Sequence, residues 1–176
     1  LDGGGGADTL DGGAGDDLYV LDSTLDVIRD DPSGQDTVRA SISVTLWSGL
    51  EHLELTGVAG LSGTGNALSN RIAGTSGANL LLGGAGDDTL LGGAGSDTLR
   101  GDAGDDRLEG GDGVDTASWS LAPGSVTASL LTGQASGTEG ADLLIGIENL
   151  TGGSGDERLT GDGGANVLDG GAGDDT

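Results

Sequence analysis

The chain repeats itself every nine residues, and that period constrains its fold more than any other feature. From Gly65 six units follow without a break: GNALSNRIA, GTSGANLLL, GGAGDDTLL, GGAGSDTLR, GDAGDDRLE and GGDGVDTAS. Their sixth positions are Asn70, Asn79, Asp88, Asp97, Asp106 and Asp115, and their eighth positions are Ile72, Leu81, Leu90, Leu99, Leu108 and Ala117. Two units open the chain, GGGGADTLD from Gly3 and GGAGDDLYV from Gly12, with Asp8 and Asp17 in sixth place. Towards the far end come GTEGADLLI from Gly137, GGSGDERLT from Gly152, GDGGANVLD from Gly161 and GGAGDDT from Gly170; Asp142, Glu157 and Asp175 hold sixth positions there.

Composition gains meaning from this phase. Glycine supplies 40 of 176 residues, which alone suggests disorder, but the glycines recur at positions one, two and four of the unit. Leucine at position eight is equally regular, and a disordered linker has no need of that. Acidic residues number 30 against 6 basic ones, a net charge of −24. All six basic residues are Arg, which argues against binding to a phosphate backbone, and without Lys there is no P-loop. No run of apolar residues is long enough to span a bilayer. Cysteine is absent, so disulfides are not what stabilises the chain. The chain starts without Met and stops within a repeat unit, which reads as a piece of a longer protein.

The consensus Gly-Gly-x-Gly-x-Asp-x-Leu-x is the calcium-binding nonapeptide of RTX (repeats-in-toxin) proteins, and the chain resembles that family over more than half of its residues. The resemblance implies an all-β fold, a calcium-loaded parallel β-roll (a β-solenoid). The glycine-rich hexapeptide forms a turn, the last three residues form a short strand, and two nonapeptides make one 18-residue coil. On this reading residues 1–20 are first repeats, 65–118 the main array and 152–176 the start of a further array; 21–64 and 119–151 are spacers. The spacers resemble each other. The first holds Gly34-Gln35-Asp36-Thr37 and closes in Leu50-Glu51-His52-Leu53; the second follows Gly113-Val114-Asp115-Thr116 and closes in Ile147-Glu148-Asn149-Leu150. Alternation over Val38 to Leu46 and Leu53 to Leu55 predicts strand, so both spacers are expected to form irregular coils of the same solenoid.

A unit offers one inward apolar side chain in nine, too little to offset the entropy of ordering a glycine-rich backbone. Charge deepens the deficit. In an 18-residue coil Asp88 stacks on Asp106 and Asp97 on Asp115, and like charges at ~5 Å repel by roughly 3 kcal/mol at an effective dielectric of 20. A divalent cation reverses that sign. Calcium suits a site made of oxygen ligands alone, and with no Cys and one His a soft-metal site is disfavoured.

The resemblance places several Ca2+ ions between turns 18 residues apart, held by sixth-position carboxylates and by backbone carbonyls of the glycine-rich turns. It thus implicates Gly83, Gly84, Gly86, Gly92, Gly93, Gly95, Gly101, Gly104, Gly110, Gly111 and Gly113. The best sites pair Asp88 with Asp106 and Asp97 with Asp115. Asn70/Asp88 and Asn79/Asp97 carry one charge fewer and should bind more weakly or stay empty. Asp142, Glu157 with Asp175, and Asp8 and Asp17 are further candidates, the last two needing partners upstream or in the first spacer. The fifth-position acids Asp16, Asp87, Asp105, Asp156 and Asp174 are expected to face solvent.

By the same resemblance the chain is a calcium-binding module of a larger secreted bacterial protein, extracellular or on the cell surface. It would pass a type I secretion exporter unfolded, fold on calcium outside, and stabilise or present an effector domain. Two other classes remain open: a structural segment of an adhesin, surface layer or filament assembling with itself through calcium, and a surface-polysaccharide-binding module. Catalysis within the chain is not expected. His52 near Ser48 has no nucleophile-elbow context, and Trp47 and Trp119 read as packing residues. Asn149-Leu150-Thr151 matches a glycosylation acceptor by chance in a bacterial protein.

Overall fold

A computed structural model describes all residues, 1–176, and contains strands but no helix. No helix is therefore long and apolar enough to cross a membrane. Nineteen short strands wind as a parallel solenoid with two long faces. One face is a ten-stranded sheet. It contains β2 (Leu18–Leu21), β4 (Thr37–Ala40), β6 (His52–Leu55), β8 (Arg71–Ala73), β10 (Thr89–Gly95), β12 (Arg107–Gly113), β14 (Val126–Ser129), β15 (Gln134–Gly137), β16 (Ala141–Ile145) and β18 (Arg158–Thr160). The other is a seven-stranded sheet of β5 (Val44–Thr45), β7 (Ser62–Thr64), β9 (Leu80–Ala85), β11 (Thr98–Ala103), β13 (Thr116–Ser118), β17 (Asn149–Thr151) and β19 (Leu168–Asp169). β1 (Thr9–Asp11) and β3 (Val27–Arg29) pair with each other.

Register explains why position eight is apolar. Parallel pairing places Tyr19, Val38, Leu53, Ile72, Leu90, Leu108 and Leu144 in one column, each opposite its neighbour. A second column runs Val44, Gly63, Leu81, Leu99, Ala117, Leu150 and Leu168. Except at the ends, these side chains are almost fully buried, and they belong to one core. The columns meet inside the coil: a Cβ on Gly63 of the second would lie 3.1 Å from Ile72 and Leu53 of the first. The smallest residue thus faces the bulkiest neighbours.

In the main array the step between paired residues is 18, as in Leu90 opposite Leu108. Strands β9 to β12 run past the apolar triplet into the glycine turn, where Gly93 pairs with Gly111 and Gly84 with Asp102. The turn itself is therefore hydrogen-bonded from coil to coil.

The spacers occupy the same two sheets with altered steps. The first steps by 19 from Leu18 to Thr37, by 15 from Thr37 to His52 and by 19 from His52 to Arg71. Within it, a bend at Ser41 and Ile42 splits the stretch Val38 to Leu46 into β4 and β5, which lie in different sheets. The second spacer is no simple coil. β12 pairs with β16 across a step of 36, and β13 with β17 across 33. The additional residues form an antiparallel hairpin, β14 and β15, which joins the ten-stranded sheet between β16 and β18. Its apolar residues Val126, Ala128 and Ala135 are buried, which keeps the core continuous where the parallel ladder is interrupted.

Candidate metal centre: ladders of buried carboxylates

Each sixth-position side chain lies two residues before a core residue, at the point where turn becomes strand. There the backbone N–H of one coil reaches the acid of the next. Asn70 N–H donates to Asp88 Oδ1 (2.6 Å), Asp88 N–H to Asp106 Oδ1 (2.8 Å) and Asp106 N–H to Asp142 Oδ1 (3.2 Å). On the other side Asn79 N–H donates to Asp97 Oδ1 and Asp97 N–H to Asp115 Oδ1, both at 2.7 Å, and Asp115 N–H to Glu148 Oε2 (2.8 Å). At the chain ends the same bond joins Asp8 to Asp26, Asp17 to Asp36 and Glu157 to Asp175.

One oxygen of each accepting acid is thus used, and the other, Oδ2, is buried without a hydrogen-bond partner in Asp36, Asp88, Asp97, Asp106 and Asp115. Asp8 and Asp17 take part through their backbone N–H, and their Oδ2 atoms are likewise buried without a partner. Glu157 has both carboxylate oxygens in that condition. These oxygens face the first glycine of their own turn: a Cβ on Gly83, Gly92, Gly101 or Gly110 would run into Oδ2 of Asp88, Asp97, Asp106 or Asp115. At Gly83 it would also crowd the carbonyl of the corresponding glycine one coil on, Gly101 O (2.6 Å). The first position therefore has room for carboxylate and carbonyl oxygens only. Gly84, Gly86, Gly93, Gly95, Gly104, Gly111 and Gly113 all have positive φ, which brings the turns together. Asp102 takes the same left-handed conformation (φ 66°), held by an Arg100 ion pair at 2.7 Å.

Buried oxygen without a donor is costly, and the carboxyl groups register it. Burial pushes Asp88 up to about 7, with the Asn70 N–H opposing and the Asp106 charge adding. Burial likewise pushes Asp106 up to about 6, helped by Asp142. Asp97, Asp115, Asp142 and Glu157 are raised for the same first reason. A hard divalent cation fits this donor set, since it supplies the positive charge that the buried oxygens lack. Asp88, Asp97, Asp106 and Asp115 with the turn carbonyls would hold it, and it would supply attraction between coils that otherwise repel.

The remaining sequence candidates differ. Asn70 donates its amide to Leu50 O (3.0 Å) and accepts the Asn66 N–H (2.8 Å). Asn79 donates to Leu61 O (3.2 Å) and accepts the Thr75 N–H (2.8 Å). Their amides satisfy themselves within the protein. Asp142 also has both oxygens engaged, Oδ2 by the indole N–H of buried Trp119 (2.9 Å). Asp175 is exposed. The fifth-position acids Asp16, Asp87, Asp105, Asp156 and Asp174 are exposed, yet the first four cap the next coil: Asp87 Oδ1, for example, accepts the Asp105 N–H at 2.9 Å.

Asp26, Asp36, Glu51 and Glu148 join the ladders from the spacers, where the glycine signature is incomplete. One signal does mark them. Each lies two residues before a buried apolar residue, namely Ile28, Val38, Leu53 and Leu150.

Parallel coils with buried carboxylates between them define a β-solenoid with a donor set suited to a hard cation. The model of the RTX calcium-binding nonapeptide repeat matches four times, over residues 1–28, 64–99, 83–117 and 147–176. These copies take in more than half of the chain, which belongs to the RTX calcium-binding repeat family. It is a calcium-binding repeat module, and its β-solenoid is a structural fold. A comparison with curated proteins returns no match.

Proposed function

We propose that this module is unfolded where calcium is scarce and folds where calcium is plentiful, as part of a larger secreted bacterial protein. The carrying observation is the row of buried, donorless Oδ2 atoms at Asp88, Asp97, Asp106 and Asp115. In the absence of a cation these charges oppose the coil stacking that the leucine columns favour, so ligand binding and folding are linked. Such a chain could pass a type I exporter as an expanded polyanion and become rigid outside the cell. It would then stabilise or present an attached effector domain. Ions between Asp88 and Asp106 and between Asp97 and Asp115 are the core of this reading. Rungs closed by Asn70 or Asn79 bind more weakly, because their amides already have partners. Far-ultraviolet circular dichroism during a calcium titration tests it: β-structure should rise with calcium, and its full persistence in excess chelator would refute the reading.

A further inference from the structure

The first spacer puts a carboxylate where the repeats put glycine. β1 and β3 pair Asp11 with Arg29, and Gly12 N–H donates to Arg29 O (3.3 Å), so Asp30 is the register equivalent of Gly12. In the main array the same rung holds Gly83 beside Gly101. The turn from Asp30 to Asp36 is seated on the one before it. Gly15 N–H donates to Ser33 O (3.0 Å), Gln35 N–H to Asp16 Oδ1 (2.8 Å) and Asp17 N–H to Asp36 Oδ1 (2.8 Å).

This seating gathers ligand oxygens of Asp17, Asp30 and Asp36 within 4.8 Å of one another. Asp36 has no exposed surface, and its Oδ2 is buried without a hydrogen-bond partner. The Oδ2 atoms of Asp17 and Asp30 are also buried and unbonded. None of the three ion pairs of the protein involves these acids. Tyr19, wholly buried in a core position that is Leu or Ile in most units, donates its hydroxyl to Asp30 Oδ1. A Cβ on Gly12 would collide with that hydroxyl and with Asp17 Oδ2, so glycine is needed there to admit the cluster.

We propose that Asp17, Asp30 and Asp36 form a three-carboxylate site for a hard divalent cation, with Tyr19 positioning Asp30. The proposal rests on the calcium-module reading and adds to it a site outside the 18-residue pairing of the repeats. Three carboxylates converge where a regular rung offers two, so this site fills at a lower cation concentration than the array. It anchors the first spacer to the first repeats before the array closes.

Terbium(III) alone is the probe, because it takes oxygen ligands as calcium does and emits when a nearby aromatic ring transfers energy to it. Tyr19 is the sole tyrosine. In the full chain, an early component of aromatic-sensitised emission should saturate at a lower terbium concentration than the rise in β-structure, ahead of emission that the two Trp residues sensitise as the array fills. Asp30→Asn should weaken that early component by about tenfold or more, while Asp97→Asn leaves it unchanged. Tyr19→Phe should abolish that early component and leave only emission sensitised by Trp47 or Trp119 at higher terbium, with circular dichroism in saturating calcium confirming the fold. An early component that survives Tyr19→Phe, or that Asp97→Asn weakens as much as Asp30→Asn does, overturns the proposal. A wild-type chain whose β-structure ignores calcium but whose Tyr19-dependent emission persists would refute the module reading and keep the site.

Discussion

Replacing Asp88 by Asn should make the metal-free protein more stable and the calcium-loaded protein less stable. Asp88 is almost fully buried, its Oδ1 accepts the Asn70 N–H, and its Oδ2 has no partner. Its carboxyl rises from 3.8 to about 7, chiefly through burial. The metal-free native state therefore holds this proton more tightly than the unfolded chain does. That contribution is complete below about pH 4 and is lost as pH rises through about 7. The corresponding cost of the ionised form is at most about 4 kcal/mol, and less once solvent screening is counted. An amide at position 88 never ionises, and Asn70, one coil away, shows how an amide donates to a carbonyl of the previous coil. The assay is urea unfolding in chelator, followed by circular dichroism across about pH 4 to 8. Wild type should lose stability, or β-structure outright, over that range, and the variant should lose less by the share that Asp88 contributes, while Asp106 and the other raised acids still titrate. In saturating calcium the order should invert, because the variant lacks a ligand charge. A variant with the same pH profile as wild type in chelator would show that the buried Asp88 charge is not what opposes the metal-free fold.

Two further outcomes follow from the ladder geometry. Asp97→Ala should lower calcium affinity more than Asp174→Ala, since Asp97 is buried in a ladder and Asp174 is exposed; calorimetry giving equal losses would place the ligands elsewhere. Gly101→Ala should cost both calcium binding and calcium-induced β-structure, because its Cβ would occupy the space of Asp106 Oδ2; an unchanged titration by circular dichroism would count against the crowding.

The repeat made the coil legible. A sixth-position Asp or Asn and an eighth-position aliphatic residue recurring every nine residues, from Gly65 onward, already imply stacked turns with one column of polar oxygen ligands and one of hydrocarbon. The 18-residue step, the pairing of Asp88 with Asp106 and the burial of Leu90 and Leu99 express that local pattern directly. The spacers were legible only as strand-forming stretches. The steps of 15, 19, 33 and 36 depend on which core columns each segment can extend, and that is a packing outcome.

What the sequence by itself determined is the unit: turn, acid and strand. Tertiary structure alone decided which oxygens lack donors. Asp142 and Asp88 look alike in sequence, yet Trp119, 23 residues before Asp142, gives its N–H to one and nothing comparable reaches the other. Asp30 carries no repeat signature and becomes part of a cluster because β3 sets it opposite Gly12. The physical reason is the same in both cases. Local chemistry fixes what a residue can bind, whereas the partner arriving from another coil fixes whether that capacity is already used.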